Sequence, residues 1–329
     1  MPDAVETMRA ILCRELGKGL ALAEIASPTP GPGEVLVRIG AVGLNFFDTL
    51  MLAGKYQFRP ELPFSPGAEC AGRIEALGEG VSGWRVGDRV ASFPGYNCCR
   101  EAIAVRADQL LKLPDPISDE QAAGLVVTYG TSLHALKDRA RLRPAETLAV
   151  LGAAGGVGLA AVELGHAMGA RVIACASSPD KLALAKEHGA EAVLDYAAED
   201  LKEGLRRLTG GRGADVIYDP VGGDLAEPAL RAIAWQGRYL VVGFAAGGIP
   251  TIPLNLALLK GCDIQGVFWG SFIQHDPAAH RANMAEIFAW TQEGKLSAHI
   301  HAVFPLAETA DALGVLSRRE AKGKVIVKP

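Results

Sequence analysis

The stretch Thr147-Leu-Ala-Val-Leu-Gly-Ala-Ala-Gly-Gly-Val-Gly158 limits what this chain can fold into more than any other: an apolar strand runs into a glycine-rich turn and then opens a helix. Pieces in that order make a dinucleotide-binding fingerprint, because a helix N-terminus offers unpaired N–H groups and the positive end of its dipole to a pyrophosphate. Gly155 lets the backbone approach the phosphates, and Gly158 lets the helix pack closely on its strand. Ala153 stands where the first glycine usually is, so the match reads AxGxxG. The strand before the turn, the helix after it and a second strand, Arg171-Val-Ile-Ala-Cys-Ala176, arrive at the spacing of a βαβ unit. That context separates the motif from a glycine turn in some other α/β protein, and it makes Ala154, Gly155, Gly156 and Val157 candidate phosphate-side residues.

The end of the second strand bears on which nucleotide is bound. A site for NAD places Asp or Glu there, about 20 residues into the unit, to hold the ribose hydroxyls. Here Ser177 and Ser178 stand at that point, followed by Pro179, Asp180 and Lys181. Without the carboxylate nothing repels a 2′-phosphate, and Lys181 can supply an opposite charge, so the expected cofactor is NADPH. The serines also read as N-caps of the next helix with Pro179 in its first turn, a role compatible with phosphate binding.

At 329 residues, 49% of them hydrophobic, the chain can bury two cores, in line with about 150 residues per domain. A net charge of −4 with no basic run argues against nucleic acid as a partner. Six cysteines, Cys13, Cys70, Cys98, Cys99, Cys175 and Cys262, lack framework spacing and fit a reducing cytoplasm. The acidic start, Met1 to Met8, reads as a loose extension rather than a secretory signal. The uncharged tract from Tyr239 to Leu259 is long enough to cross a bilayer, but Gly243, Gly247, Gly248, Pro250 and Pro253 break it, so a buried strand and turn are expected and no membrane span.

From residue 8 to about 122 short strands alternate with glycine- and proline-rich turns, the pattern of a β-rich domain. Beyond about Ser118 strands and helices alternate, which calls for a parallel sheet covered on both faces. Strands are expected at 147–152, 171–176 and 192–194, helices at 156–168, 179–188 and 199–208; 216–219, 225–235, 238–242 and 263–269 are expected to continue the sheet. A helix near 278–293 and a strand at 323–328 are expected to close the chain. The fold class is therefore α/β, a β-rich domain at 1–124 completed by 270–329 and a doubly wound Rossmann domain at 125–269.

A second constellation, Gly67-Ala-Glu-Cys-Ala-Gly72 followed by Gly78, lies in the β-rich part. With the turn at 153–158 it resembles the medium-chain dehydrogenase/reductase superfamily, in which a GroES-like domain precedes and partly follows a Rossmann domain; the resemblance covers Met8 to Pro329. Zinc alcohol dehydrogenases of that superfamily carry a ligating histidine where this chain has Ala68 and a ligating cysteine where it has Asn45, and their structural-zinc lobe of four close cysteines is missing here. No metal is expected. Among zinc-free branches the chain is similar to the zeta-crystallin-type NADPH:quinone oxidoreductases, through Gly43-Leu-Asn-Phe-Phe-Asp-Thr49, Ala53-Gly-Lys-Tyr56, Thr128-Tyr-Gly-Thr131, Asp195-Tyr196, Tyr218-Asp-Pro-Val-Gly222 and Gly323-Lys-Val. That resemblance implies that Ser177, Lys181 and Tyr196 surround the 2′-phosphate. It also implies that Asn45, Phe46, Thr131, Val221, Phe244, Phe268 and Trp269 line the nicotinamide half, and it adds Lys324 to the cofactor residues.

Without a Lewis acid an ordinary carbonyl is not polarised, so the acceptor must be electrophilic itself. A quinone qualifies; the alternatives are an activated C=C bond in an enone or enoyl thioester, or a non-enzymatic NADPH-binding role. Stacking the acceptor and excluding water would supply most of the catalysis, at best about 7–11 kcal/mol. The pocket is expected in the cleft outside the carboxyl ends of the strands. Asn45, Tyr56 and Thr131 are the candidate catalytic residues and Tyr129 a further candidate to touch the acceptor. Each also has a plainer reading: loop cap for Tyr56, core aromatic for Tyr129, turn capping for Asn45. The apolar strand Asp263-Ile-Gln-Gly-Val-Phe-Trp269 at the end of the Rossmann run leads to an expected homodimer.

Overall fold

Valine- and isoleucine-rich runs cut by glycine and proline turns favour strands, and the computed structural model, which describes residues 6–329, bears this out through β1 (Thr7–Leu12), β2 (Ala21–Ala26), β3 (Glu34–Leu44), β4 (Glu69–Leu77), β5 (Arg89–Ser92), β6 (Ala102–Arg106) and β7 (Leu110–Lys112). The only α-helix among them is α1 (Phe46–Leu52), between β3 and β4. The expectation of a loose extension falls mainly on residues 1–5, outside the described ones.

Next, α2 (Asp119–Leu133) leads into a regular alternation: β8 (Thr147–Leu151), α3 (Gly156–Ala167), β9 (Arg171–Ala176), α4 (Pro179–Glu187), β10 (Ala192–Asp195), α5 (Leu201–Leu208), β11 (Ala214–Asp219), α6 (Ala226–Arg231), β12 (Ile233–Val241), α7 (Asn255–Lys260) and β13 (Asp263–Gly266). Two helices follow, α8 (Trp269–His275) and α9 (Pro277–Gln292), then β14 (Ile300–Pro305), α10 (Thr309–Ser317) and β15 (Lys324–Lys328).

The chain divides into two units: residues up to Val127 with Ser297–Pro329, and Thr128–Leu296. In the first, β3 is the long central strand. It pairs antiparallel with β4, β6 and β15 in a seven-stranded sheet, while β1 and β2 form a separate hairpin. The inward residues of these strands, among them Val35, Val37, Val42, Ile74, Val90 and Val325, make its core. In the second unit six parallel strands lie in the order β10-β9-β8-β11-β12-β13. That is the doubly wound 3-2-1-4-5-6 arrangement, whose order reverses between β8 and β11, the point where such sheets bind ligands. The described residues therefore show a GroES-like β unit and a Rossmann-like unit.

Three local readings need correction. Residues 225–235 are split between α6 and the start of β12, which begins at Ile233. The strand expected at 263–269 stops at Gly266, and Trp269 opens α8. The chain returns to the first unit at Ser297 rather than 270. Helix α9 stays with the second unit because Met284 and Ile287 are buried and Asn283 takes hydrogen bonds to Asp138 (2.8 Å) and from Lys137 (3.1 Å), while Lys137 also reaches Glu286 at 2.5 Å.

Candidate functional site

In the second unit the glycine turn has the geometry its sequence implies. Gly152 follows β8 with φ +59°, and Gly155 is the N-cap of α3 with extended backbone and no side-chain cap. A Cβ on Gly158 would stand 2.1 Å from the Gly152 carbonyl oxygen, so only glycine lets α3 start this close to β8. Gly155 is different. A Cβ there would meet nothing closer than Gly152 O at 3.5 Å, an ordinary contact, so nothing inside the protein demands glycine. Its open face, beside the unpaired first N–H groups of α3, is a cradle that a pyrophosphate fits.

The loop after β11 closes on this turn. Asp219, buried at the strand end, accepts the N–H groups of Val221 and Gly222 at 2.8 Å each with one oxygen and the Tyr239 hydroxyl with the other. Burial pushes the Asp219 carboxyl and the Tyr239 hydroxyl up from their ordinary values. Val221 is thereby held where its methyl would be 2.8 Å from a Cβ on Gly152. Phe244 lies over Gly222, and the N–H groups of Ala245 and Ala246 bond to the carbonyls of Pro220 (3.0 Å) and Val221 (2.8 Å). The structure thus brings Val221 and Phe244 beside the glycine turn at the switch point. Helix α2 is tied to the same place: Ser132, next to half-buried Thr131, donates to the Val157 carbonyl at 3.0 Å and shares a 2.9 Å hydrogen bond with Tyr218.

Ser177, Lys181 and Tyr196 gather at the carboxyl ends of the neighbouring strands β9 and β10. Tyr196 N bonds to Ala176 O at 3.1 Å, directly before exposed Ser177, and Lys181 lies in the first turn of α4. Ser178 is the N-cap of α4 with Pro179 in its first turn, and its hydroxyl bonds to Asp180 instead of capping the helix.

Two expected site residues of this unit lie in its interior. Tyr129 donates to Glu163 at 2.5 Å, and Glu163 in turn contacts His188 at 2.5 Å, so its hydroxyl is committed inside the unit. Trp269 is buried, with its indole against Gly130 and edge-on to His280 at 5.4 Å, and serves packing. Phe268, its neighbour, is 61% exposed.

In the first unit, α1 carries Asn45 as N-cap, then half-buried Phe46, and Asp48, which accepts Asn45 N at 2.7 Å in a capping box. The Asn45 amide faces inward. It donates to Glu69 at 2.8 Å and accepts from Lys324 at 3.0 Å. Lys324 is buried, and its ammonium also reaches Glu69 at 2.6 Å and the Leu44 carbonyl at 3.0 Å; the second Glu69 oxygen accepts Val127 N at 2.7 Å. With these three partners, Lys324 holds Asn45 and Glu69 and leaves no donor for a cofactor. Asn45 likewise has both ends of its amide engaged inside the unit. Asp48 is pushed up to about 7, by burial above all and by the nearby Glu69, against the pull of the Asn45 and Gly67 N–H groups and of Lys324. Tyr56 stacks on Phe47 with ring centroids 5.3 Å apart, and burial together with Asp48 raises its hydroxyl. The Glu69–Lys324 pair leaves little sign in the sequence beyond an acid inside an otherwise apolar strand start.

Among the described residues no group of three or more His, Cys, Asp and Glu side chains is arranged to hold a metal ion. The positions that carry zinc ligands in the alcohol dehydrogenases are a buried alanine and an amide already bonded on both of its heteroatoms, a donor set that does not fit zinc.

Comparison with known proteins agrees with this architecture. Residues 31–115 match the family model of the alcohol dehydrogenase GroES-like domain, and 156–288 that of zinc-binding dehydrogenases. The chain belongs to the medium-chain dehydrogenase/reductase family and is an oxidoreductase of that family. It is 39% identical to the quinone oxidoreductase-like protein 2 homolog of Nematostella vectensis over 99% of this chain and 90% of that one. A quinone oxidoreductase of Pseudomonas aeruginosa is 36% identical over 91% of this chain and 92% of its own. The crystal structure of Escherichia coli quinone oxidoreductase complexed with NADPH superposes with a TM-score of 0.91 at 28% identity, covering 98% of this chain and all of that one.

Proposed function

We propose that this protein reduces a quinone in one two-electron step, with NADPH as donor and without a metal. The observation that carries the cofactor choice is the end of β9, where Ser177, Lys181 and Tyr196 gather and no carboxylate occupies the ribose-binding position. When bound, NADPH supplies the hydride. The open face of Gly155 and the N-terminus of α3 hold the pyrophosphate, and Lys181 with Ser177 and Tyr196 holds the 2′-phosphate. Ala154, Gly156 and Val157 flank that cradle, while Val221, Phe244 and Thr131 line the nicotinamide half. In the first unit Phe46 and the Phe47–Tyr56 stack offer aromatic surface to a planar acceptor. The Tyr56 hydroxyl, protonated at neutral pH as in any tyrosine, can donate a hydrogen bond to an acceptor oxygen. The relatives' names support a quinone as substrate.

A steady-state panel of 1,4-quinones, enones and enoyl thioesters, each with NADPH and NADH, tests this reading. Quinones with NADPH should give the highest kcat/KM, with a primary isotope effect from deuterated NADPH and no loss after prolonged chelation. Trace quinone turnover beside fast alkene reduction would move the assignment to activated C=C bonds, and no turnover with any acceptor would leave a binding protein.

We also infer a homodimer. β13 is an end strand of the parallel sheet, and Trp235, Leu258 and Phe268 around it are 67%, 80% and 61% exposed. Pairing with a second copy would cover that edge. Sedimentation showing a monomer at micromolar concentration would overturn this. The free, buried state of all six thiols suits a reducing cytoplasm, our proposed location. No helix among the described residues is long and apolar enough to cross a membrane.

A further inference from the structure

At the amino ends of β11 and β12, the end of the parallel sheet opposite the Gly152–Gly158 turn, four cations line one cavity of about 90 Å³. Arg206, Arg231 and Lys260 come from the last turns of α5, α6 and α7, and Arg212 from the glycine turn that precedes β11. Two carboxylates offset them: Glu227 bonds Arg231 at 2.6 Å, and Asp215 stands 4.0 Å from Arg212. Arg206 and Lys260 have no acidic partner among the described residues.

The carbonyl ends of the three helices compensate part of this charge, but carbonyls at the ends of short helices do not replace a counter-ion for Arg206 and Lys260, the two cations without an acid. An oxyanion does, because guanidinium and ammonium groups match its oxygens in charge-assisted hydrogen bonds. The turn leaves room for one: a Cβ on Gly211 would meet nothing within 4 Å, so its backbone is open on that side. The size is selective. Pockets for drug-sized ligands start at roughly 300 Å³, so this cavity suits a single tetrahedral group better than a whole nucleotide. Its position excludes the cofactor's own phosphates, which belong at the carboxyl ends of the strands. We propose that this cavity binds a free tetrahedral oxyanion, inorganic phosphate or sulfate, at a site separate from the dinucleotide turn.

The test is a thermal-unfolding titration of the full chain with inorganic phosphate, sodium chloride holding ionic strength constant. Wild type should show a saturable rise in Tm of about 1–3 °C when phosphate reaches tenfold its Kd or more. The double variant Arg206→Ala, Lys260→Ala should lose that rise, and because its Gly152–Gly158 turn is intact it subtracts any phosphate held there. Should the double variant fold poorly, Arg206→Gln alone should raise the half-saturating phosphate concentration about tenfold or more. A phosphate-insensitive Tm, or an equal rise in wild type and variants, would show that the cations only offset helix ends. A phosphoserine peptide acting at lower concentration than free phosphate would overturn the free-anion assignment.

Discussion

In the second unit the groups proposed to face a ligand are the first N–H groups of α3 and the open face of Gly155 after β8, with Ser177 and Lys181 after β9, whereas the first unit packs Asn45, Asp48, Glu69 and Lys324 together away from water. The glycine turn costs the fold little, because the helix start leaves its N–H groups exposed in any case. The charged cluster is costly to assemble and holds only while every partner is present. Ligand binding should therefore respond to single changes in the second unit, and folding to single changes in the first.

The largest expected effect comes from breaking the cluster. Lys324→Ala leaves the Glu69 carboxylate buried without its cation and should destabilise the protein by about 3–5 kcal/mol in urea unfolding; a loss under about 1 kcal/mol would remove the contrast between the units. Asp48 gives the next effect, through pH. Its carboxyl is raised to about 7 in the fold against 3.8 for the free group, so ionisation is penalised in the native state. The stabilising contribution is full below about pH 4 and is lost as pH rises through 7, an upper bound of about 4 kcal/mol for some three units at 1.36 kcal/mol each. Asp48→Asn should flatten the stability profile between pH 5 and 8; an unchanged slope would show that Asp48 is not its source.

In the second unit the losses should appear in binding. Lys181→Ala should weaken NADPH by about 10- to 150-fold, the value of a charge-assisted hydrogen bond, and leave NADH nearly alone; equal losses for both would assign Lys181 to folding. Gly155→Ala sharpens the comparison most finely. It should lower NADPH affinity while shifting stability by about 1 kcal/mol or less, since its Cβ meets only an ordinary contact and an N-cap change is small. Gly158→Ala, aimed at a carbonyl 2.1 Å away, should cost stability as well.

What could be read from the chain follows the same division. The β8 turn, α3 and β9 were legible because close backbone approach admits few residues other than glycine, and the doubly wound unit followed from the alternation of strands and helices. Ser132 left no such mark: it bonds Val157 and Tyr218, both far away in sequence, a pairing visible only once the chain has folded. The reach of Asp219 to Tyr239 on the next strand is equally silent in the sequence. Lys324 and Trp269 were expected at the cofactor from resemblance alone, and the fold commits one to an ion pair and the other to a helix contact. The break after Gly266 was missed because Val267, Phe268 and Trp269 continue the apolar run that reads as strand.

The six buried thiols can serve as a built-in clock. Cys13, Cys70, Cys98 and Cys99 belong to the first unit, Cys175 and Cys262 to the second. Burial raises the Cys98, Cys99 and Cys175 thiols, so in the native state they stay protonated and slow to alkylate. Mass spectrometry of an alkylation time course would then count openings of each unit separately. Four labels arriving before the other two would mean that the β unit opens first, and six together that the whole chain opens at once.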